Sequence, residues 1–134
     1  MASFLSSRRM LVVALAALTA LAGVLLLSRD QPANAAASGK TVHLSANAAG
    51  KLKFNKTKIT VSHGKVTFVM ANPSSSGKPH AIAVEGKHVD KDGKTVQPGG
   101  TSKITVTLKK GTYEFYCPVD GHKAAGMEGK VIVK

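Results

Sequence analysis

The sequence has no tryptophan, and only 4% of its residues are aromatic. Any core must be assembled from Val, Ile, Leu, Met and a few Phe. There is one cysteine, Cys117, so no disulfide can form within the chain. In an exported protein such a thiol is joined to another chain, buried as an inert small hydrophobe, or bound to a metal. Acidic residues are scarce, 7 against 19 Lys+Arg, for a formal net charge of +12. Arginine stops at Arg29, and the lysines beyond it fall mostly singly, without interleaved aromatics. That pattern speaks against a nucleic-acid partner, whose bases are gripped by stacking rings among basic groups. A basic balance suits an acidic protein or an anionic surface instead.

What is there begins with an export segment. Arg8 and Arg9 precede an apolar run from Met10 to Leu27, a polar stretch follows, and Ala33-Asn34-Ala35 and Ala35-Ala36-Ala37 offer small-x-small cleavage patterns. Residues 1–35 are expected to be a signal peptide or, because residues 10–27 reach the lower limit of a membrane span, an uncleaved signal-anchor. Either reading exports the remainder to a periplasmic, cell-surface or secreted location. Residues 36–40 read as a short linker and 41–134 as one domain, large enough for a modest core.

From Lys40 onward the hydrophobic period is two, with no segment of helical period. Strands are expected over Thr41–Ala46, a short piece marked by Leu52 and Phe54, Ile59–Val61, Val66–Ala71, His80–Val84, one around Ile104, Val106 and Leu108, Tyr113–Cys117, and Lys130–Val133. The stretch from Gly86 to Gly100 is polar and reads as a long connection. Seven to eight short strands without helices predict an all-β antiparallel sandwich. Sites on such a fold gather in loops at its ends.

The residues from Tyr113 to Met127 carry the chemistry. They place Cys117, His122 and Met127 at Cys-x4-His-x4-Met, in or beside one loop, and His80 opens a strand earlier in the chain. Each residue alone has an ordinary reading as core or surface. Together, two imidazoles, one thiolate and a weak thioether make the donor set of a blue-copper centre. His43, His63 and His88 have no partner at ligand spacing and read as surface residues.

Phe115-Tyr116-Cys117, Gly121-His122, Ala125-Gly126-Met127 and Pro79-His80 resemble the plastocyanin/azurin family of cupredoxins. The resemblance spans nearly all of the domain, and its ligand-loop spacing is similar to azurin-like and auracyanin-like members. It implies a cupredoxin-type Greek-key β-sandwich and one type 1 copper ion on His80, Cys117, His122 and axial Met127. It also implies a non-enzymatic, monomeric one-electron carrier that docks redox proteins transiently where His122 nears the surface, among Pro79, Val119, Ala124 and Ala125. Lys78 and Lys123 would ring that patch and steer an acidic partner. Tyr116 is either a second electron exit or a packing residue.

Two positions depart from the family. Ala81 stands where an Asn usually follows the first His, and Pro118 where a Ser or Thr often follows the Cys. The side-chain tie between the two ligand loops is thus absent at both ends. The amides of Ala81 and Val119 are expected to serve as donors to the sulfur. A copper store or delivery module, and a copper oxidase or reductase, are the competing functions. The enclosed donor set argues against the first, and the lack of a second His cluster argues against the others.

Overall fold

The computed structural model describes residues 39–134. The expected signal or anchor (1–35) and most of the 36–40 linker lie outside the described residues. Within them are eight strands: β1 (Lys40–Ser45), β2 (Lys58–Val61), β3 (Gly64–Ala71), β4 (Ala83–Gly86), β5 (Val89–Asp92), β6 (Thr101–Leu108), β7 (Gly111–Tyr116) and β8 (Glu128–Val133). They form a three-stranded sheet ordered β1-β3-β6 and a five-stranded sheet ordered β2-β8-β7-β4-β5. Alternation decides which side chains face inward. On β6, Ser102, Ile104, Val106 and Leu108 are buried while Thr101, Lys103, Thr105 and Thr107 are exposed, as a half-buried strand of period two requires.

The sandwich is not purely antiparallel. β1 pairs with β3, and β2 with β8, in parallel, while the other four ladders are antiparallel. The reason is arithmetic. If every connection reverses the chain, strands an odd number of connections apart run opposite ways and those an even number apart run together. β1 and β3 are two connections apart because the chain visits the other sheet between them.

The strand list also shifts in the middle. Leu52–Phe54 is not a strand: Phe54 makes only an isolated bridge to Ala46, yet its ring is buried against Phe115 at 5.6 Å between centroids. The segment from Gly86 to Gly100, expected to be a connection, contains β5. Its residues are almost wholly exposed, so no apolar alternation announces it. The hairpin into it turns on Lys87 and His88, at φ 47° and 66°. Those angles are the left-handed pair of a two-residue I′ turn, a role usually given to Asn-Gly.

The core is the inner face of both sheets. Val66, Phe68, Met70, Ile82, Val84, Phe115 and Val131 are fully enclosed, and burying such a side chain stabilises the fold by about 1.5–3 kcal/mol each. Gly129 lies directly opposite Phe115, where an added Cβ would fall 2.3 Å from the ring. The aromatic ring fills the space that any other residue at 129 would occupy. At the β6–β7 corner the Tyr113 hydroxyl donates to the Lys109 carbonyl (3.0 Å) and accepts from the Lys109 amide (3.1 Å), which fixes the entry of the strand that leads to Cys117.

Candidate metal centre

β7 ends at Tyr116 and β8 begins at Glu128. The chain between them leaves and re-enters one ladder, so its two ends are held together. Cys117 and Met127 close it: the Cys117 amide donates to the Met127 carbonyl at 3.0 Å, and the Met127 amide donates to the His122 carbonyl at 3.0 Å. Inside the loop the His122 amide donates to Val119, Ala125 to Gly121, and Gly126 to Lys123. Gly121 and Gly126 take positive φ, 76° and 93°, where a side chain would be strained.

His80 arrives from the other direction. Its backbone makes both hydrogen bonds of an isolated bridge to Val96, at 3.0 and 2.9 Å, and the strand proper starts only at Ala83. The loop before it is braced by Asn72, which is buried and fully bonded. Its side-chain amide donates to the carbonyls of Lys78 (2.8 Å) and Val96 (3.0 Å), and its oxygen accepts from the Ser76 hydroxyl at 2.6 Å. Sequence reasoning missed this residue. Asn72-Pro73 read only as loop composition, and nothing local shows that the side chain reaches both Lys78 and Val96.

The two loops meet at the sulfur. Cys117 Sγ lies 3.4 Å from His122 Nδ1 and 3.8 Å from His80 Nδ1, and one ligand atom from each of the three residues falls within 4.8 Å of the others. The imidazole rings are tilted by 51° with centroids 5.0 Å apart. Cys117, His80 and Met127 are fully buried, whereas His122 retains 9% exposure. Met127 thus sits in the core at the loop's closing end. His43, His63 and His88 are all exposed, as expected of surface residues.

Electrostatics prepare the cluster for a metal. Burial holds both imidazoles below the usual histidine range, helped at His80 by His122 and Lys78 and at His122 by Lys78, so both rings are neutral and can donate a lone pair at neutral pH. Burial pushes the Cys117 thiol up, opposed by the amides of Ala81 and then Val119. The Ala81 amide donates to Sγ at 3.5 Å, as expected for a backbone donor standing in for the missing side-chain tie. His80 Nε2 is buried without a hydrogen-bond partner, leaving Nδ1 as the nitrogen that faces the sulfur. Two neutral imidazoles and a thiol that is anionic only when something compensates it form a cavity for a soft cation. The residues present fit one type 1 copper ion.

Of the two lysines expected to ring the docking patch, Lys78 is exposed, with Nζ 3.4 Å from the Gly50 carbonyl. Lys123 is not free. Its ammonium pairs with Glu85 Oε1 at 2.5 Å and Glu114 Oε2 at 2.7 Å and lies 4.1 Å over the Tyr116 ring.

Comparison with known proteins agrees with this geometry. Residues 40–134 match the copper binding proteins of the plastocyanin/azurin family. The chain is 31% identical to the copper-resistant cuproprotein CopI of Rubrivivax gelatinosus, over 78% of this chain and 72% of that one. It is 33% identical to chloroplastic plastocyanin of Chlamydomonas reinhardtii, over 75% and 70%. Among solved structures, auracyanin of Roseiflexus castenholzii superposes with a TM-score of 0.63 at 24% identity, over 72% of this chain and 98% of that one. A copper nitrite reductase of Nitrosomonas europaea gives 0.56 at 27%, but this chain corresponds to only 42% of it. With its two-sheet fold, its buried His-Cys-His cluster and these matches, the chain belongs to the plastocyanin/azurin family of copper proteins, the blue-copper electron carriers.

Proposed function

We propose that His80, Cys117, His122 and Met127 would hold one copper ion, in a domain that carries single electrons between redox proteins outside the cytoplasm. Copper held there supplies a Cu(I)/Cu(II) couple. The protein's part is to keep the donors still. Cys117 would give up its proton to hold copper, the two neutral imidazoles would need to give up none, and the hydrogen bonds of both loops keep these side chains in one arrangement.

The observation that carries this reading is the contrast in exposure within the cluster. Only His122 reaches solvent, so an electron has one short way out. Around it, Ala124 and Ala125 are exposed and Pro79 and Val119 half-buried. These small apolar groups let a partner approach closely in a brief encounter of the size typical for redox complexes. The basic charge favours an acidic partner, and the rate of electron transfer to it falls steeply with added salt if steering operates. A rate indifferent to salt would remove that part of the proposal. Residues 1–35 serve as export signal or retained anchor. Catalysis is not part of the reading: the likeness to the nitrite reductase covers less than half of that enzyme.

A second reading, copper retention for resistance, is favoured by the likeness to CopI. Repeated reduction and oxidation without loss of copper supports the carrier, while loss of metal on reduction supports storage. The ligand assignment itself is tested by the visible spectrum of the copper-loaded, oxidised protein. An intense band near ~600 nm, from a short copper–thiolate bond at a His2Cys site, is the expected result. Weak absorption alone overturns the assignment.

A further inference from the structure

Six carboxylates remain in residues 39–134, and two of them are placed where they repel. Glu85 on β4 and Glu114 on β7 are direct partners across an antiparallel ladder, an arrangement that destabilises a sheet when both are charged. Asp90 on β5 is the next partner of Glu85 in the same row, which adds to the negative field on this face. Lys130 stands opposite Glu114 on its other side. The cation that touches both glutamates comes from neither strand. It is Lys123, in the ligand loop, one residue after His122.

We propose that Lys123 is a positioning residue for the metal centre: the facing pair Glu85 and Glu114 draws its ammonium onto the outer face of the five-stranded sheet and so holds the His122 loop in its ligating arrangement before any metal binds. Three features support this. The contact spans elements distant in sequence, so it fixes the loop relative to the sheet rather than to itself. The ammonium is held on a third side by the Tyr116 ring, and Tyr116 adjoins Cys117, so the clamp grips the chain next to two of the proposed ligands. Finally, the side-chain tie between ligand loops that the family usually uses is missing at Ala81 and Pro118, and a clamp on the outside of the loop can take over part of its work. In turn, Lys123 offsets the Glu85–Glu114 repulsion, so loop and sheet each stabilise the other.

This inference rests on His122 being a ligand, but its first test does not need copper. In the metal-free protein, amide hydrogen exchange is compared for the wild type, Lys123→Met, Lys123→Arg and the double variant Glu85→Gln/Glu114→Gln. Lys123→Met and the double variant should speed exchange at the loop amides of Ala125, Gly126 and Met127 by tenfold or more, with the β3 amides unchanged and Lys123→Arg close to wild type. Unaltered loop exchange in Lys123→Met overturns the clamp, and so does equal acceleration throughout the domain, which marks a general loss of stability. The second readout is the reduction potential of the copper-loaded protein, which Lys123→Met should shift and Lys123→Arg should restore. An unmoved potential, even beside faster exchange, overturns the positioning role. A variant series that behaves as expected without copper, in a protein that fails to show the blue band, would leave the clamp standing and remove only the ligand assignment.

Discussion

The backbone amide of Ala81 donates to the sulfur of Cys117 from 3.5 Å, across 36 residues of sequence. It does so because His80 and its successor are pinned by the bridge to Val96 while Cys117 is pinned by the carbonyl of Met127. Two separately anchored backbones therefore meet at one atom.

The first prediction concerns that sulfur. An N–H pointed at a thiolate draws electron density from it and favours the reduced metal. Among the described residues only the Ala81 amide makes a backbone hydrogen bond to Sγ; Val119→Pro removes the other amide that opposes the upward push on the Cys117 thiol but keeps the carbonyl that accepts from the His122 amide. The reduction potential should fall by on the order of 50 mV, the equivalent of roughly 1 kcal/mol for a one-electron couple. Voltammetry of the copper-loaded variant checks it, and an unchanged potential would mean that the Val119 amide does not act on the bound sulfur.

Asn72 gives the second. Asn72→Ala removes three side-chain hydrogen bonds from a part-buried site, where the Val96 carbonyl keeps only the His80 amide and the Lys78 carbonyl and Ser76 hydroxyl keep only each other, at 3.3 Å. Each lost hydrogen bond costs about 0.5–1.5 kcal/mol, partly recovered if water enters. The metal-free protein should lose roughly 3 kcal/mol in urea unfolding. A loss below about 1 kcal/mol would show that the brace is redundant.

A third follows from the histidines. In the folded, metal-free protein both His80 and His122 are held below the ordinary value of 6.5, first by burial. The unfolded chain therefore takes up these protons before the folded one does, and below that value it binds more of them. Stability is full above 6.5 and falls as the pH is lowered through the window beneath it. The slope approaches about 1.4 kcal/mol per pH unit for each histidine. Urea midpoints of the metal-free protein at a series of pH values test the sign. A midpoint that stays level or rises on acidification contradicts it.

The β4–β5 hairpin gives the fourth. His88 holds φ at 66°, a conformation that costs a non-glycine residue roughly 1–2 kcal/mol. His88→Gly relieves that cost and gives part of it back as unfolded-chain entropy. The net gain should be about 0.5–1 kcal/mol, read as a higher urea midpoint with an unchanged slope. A destabilised variant would mean that the imidazole contributes a contact that outweighs the backbone.

These examples also mark what the sequence discloses. The alternations of Val66, Phe68, Met70 and of Ile104, Val106, Leu108 report strands directly, because one face of each is core. The spacing of Cys117, His122 and Met127 reports the site, because one loop carries all three. β5 stayed hidden because Val89-Asp90-Lys91-Asp92 has scarcely any inward face, and its turn lacks glycine. Phe54 looked like a strand residue because it is core, yet it reaches the core from a loop. The parallel ladders are a property of connection parity, invisible in any one segment. The engagement of Lys123 and the reach of Asn72 depend on register across strands and loops far apart in the chain, so the sequence could suggest only a steering lysine at the rim of the docking patch and a loop asparagine.

The parallel pairing of β8 with β2 bears on when the site can form. β8 is the last of the eight strands to be synthesised, and it sits between β2 and β7 in the finished sheet. The loop carrying Cys117, His122 and Met127 cannot close until β8 is in place, since the far end of the loop has no anchor before then. A chain still emerging from the ribosome would have His80 available but no completed cluster. The topology thus makes closure of the cluster wait on the pairing of β8 with both of its neighbours.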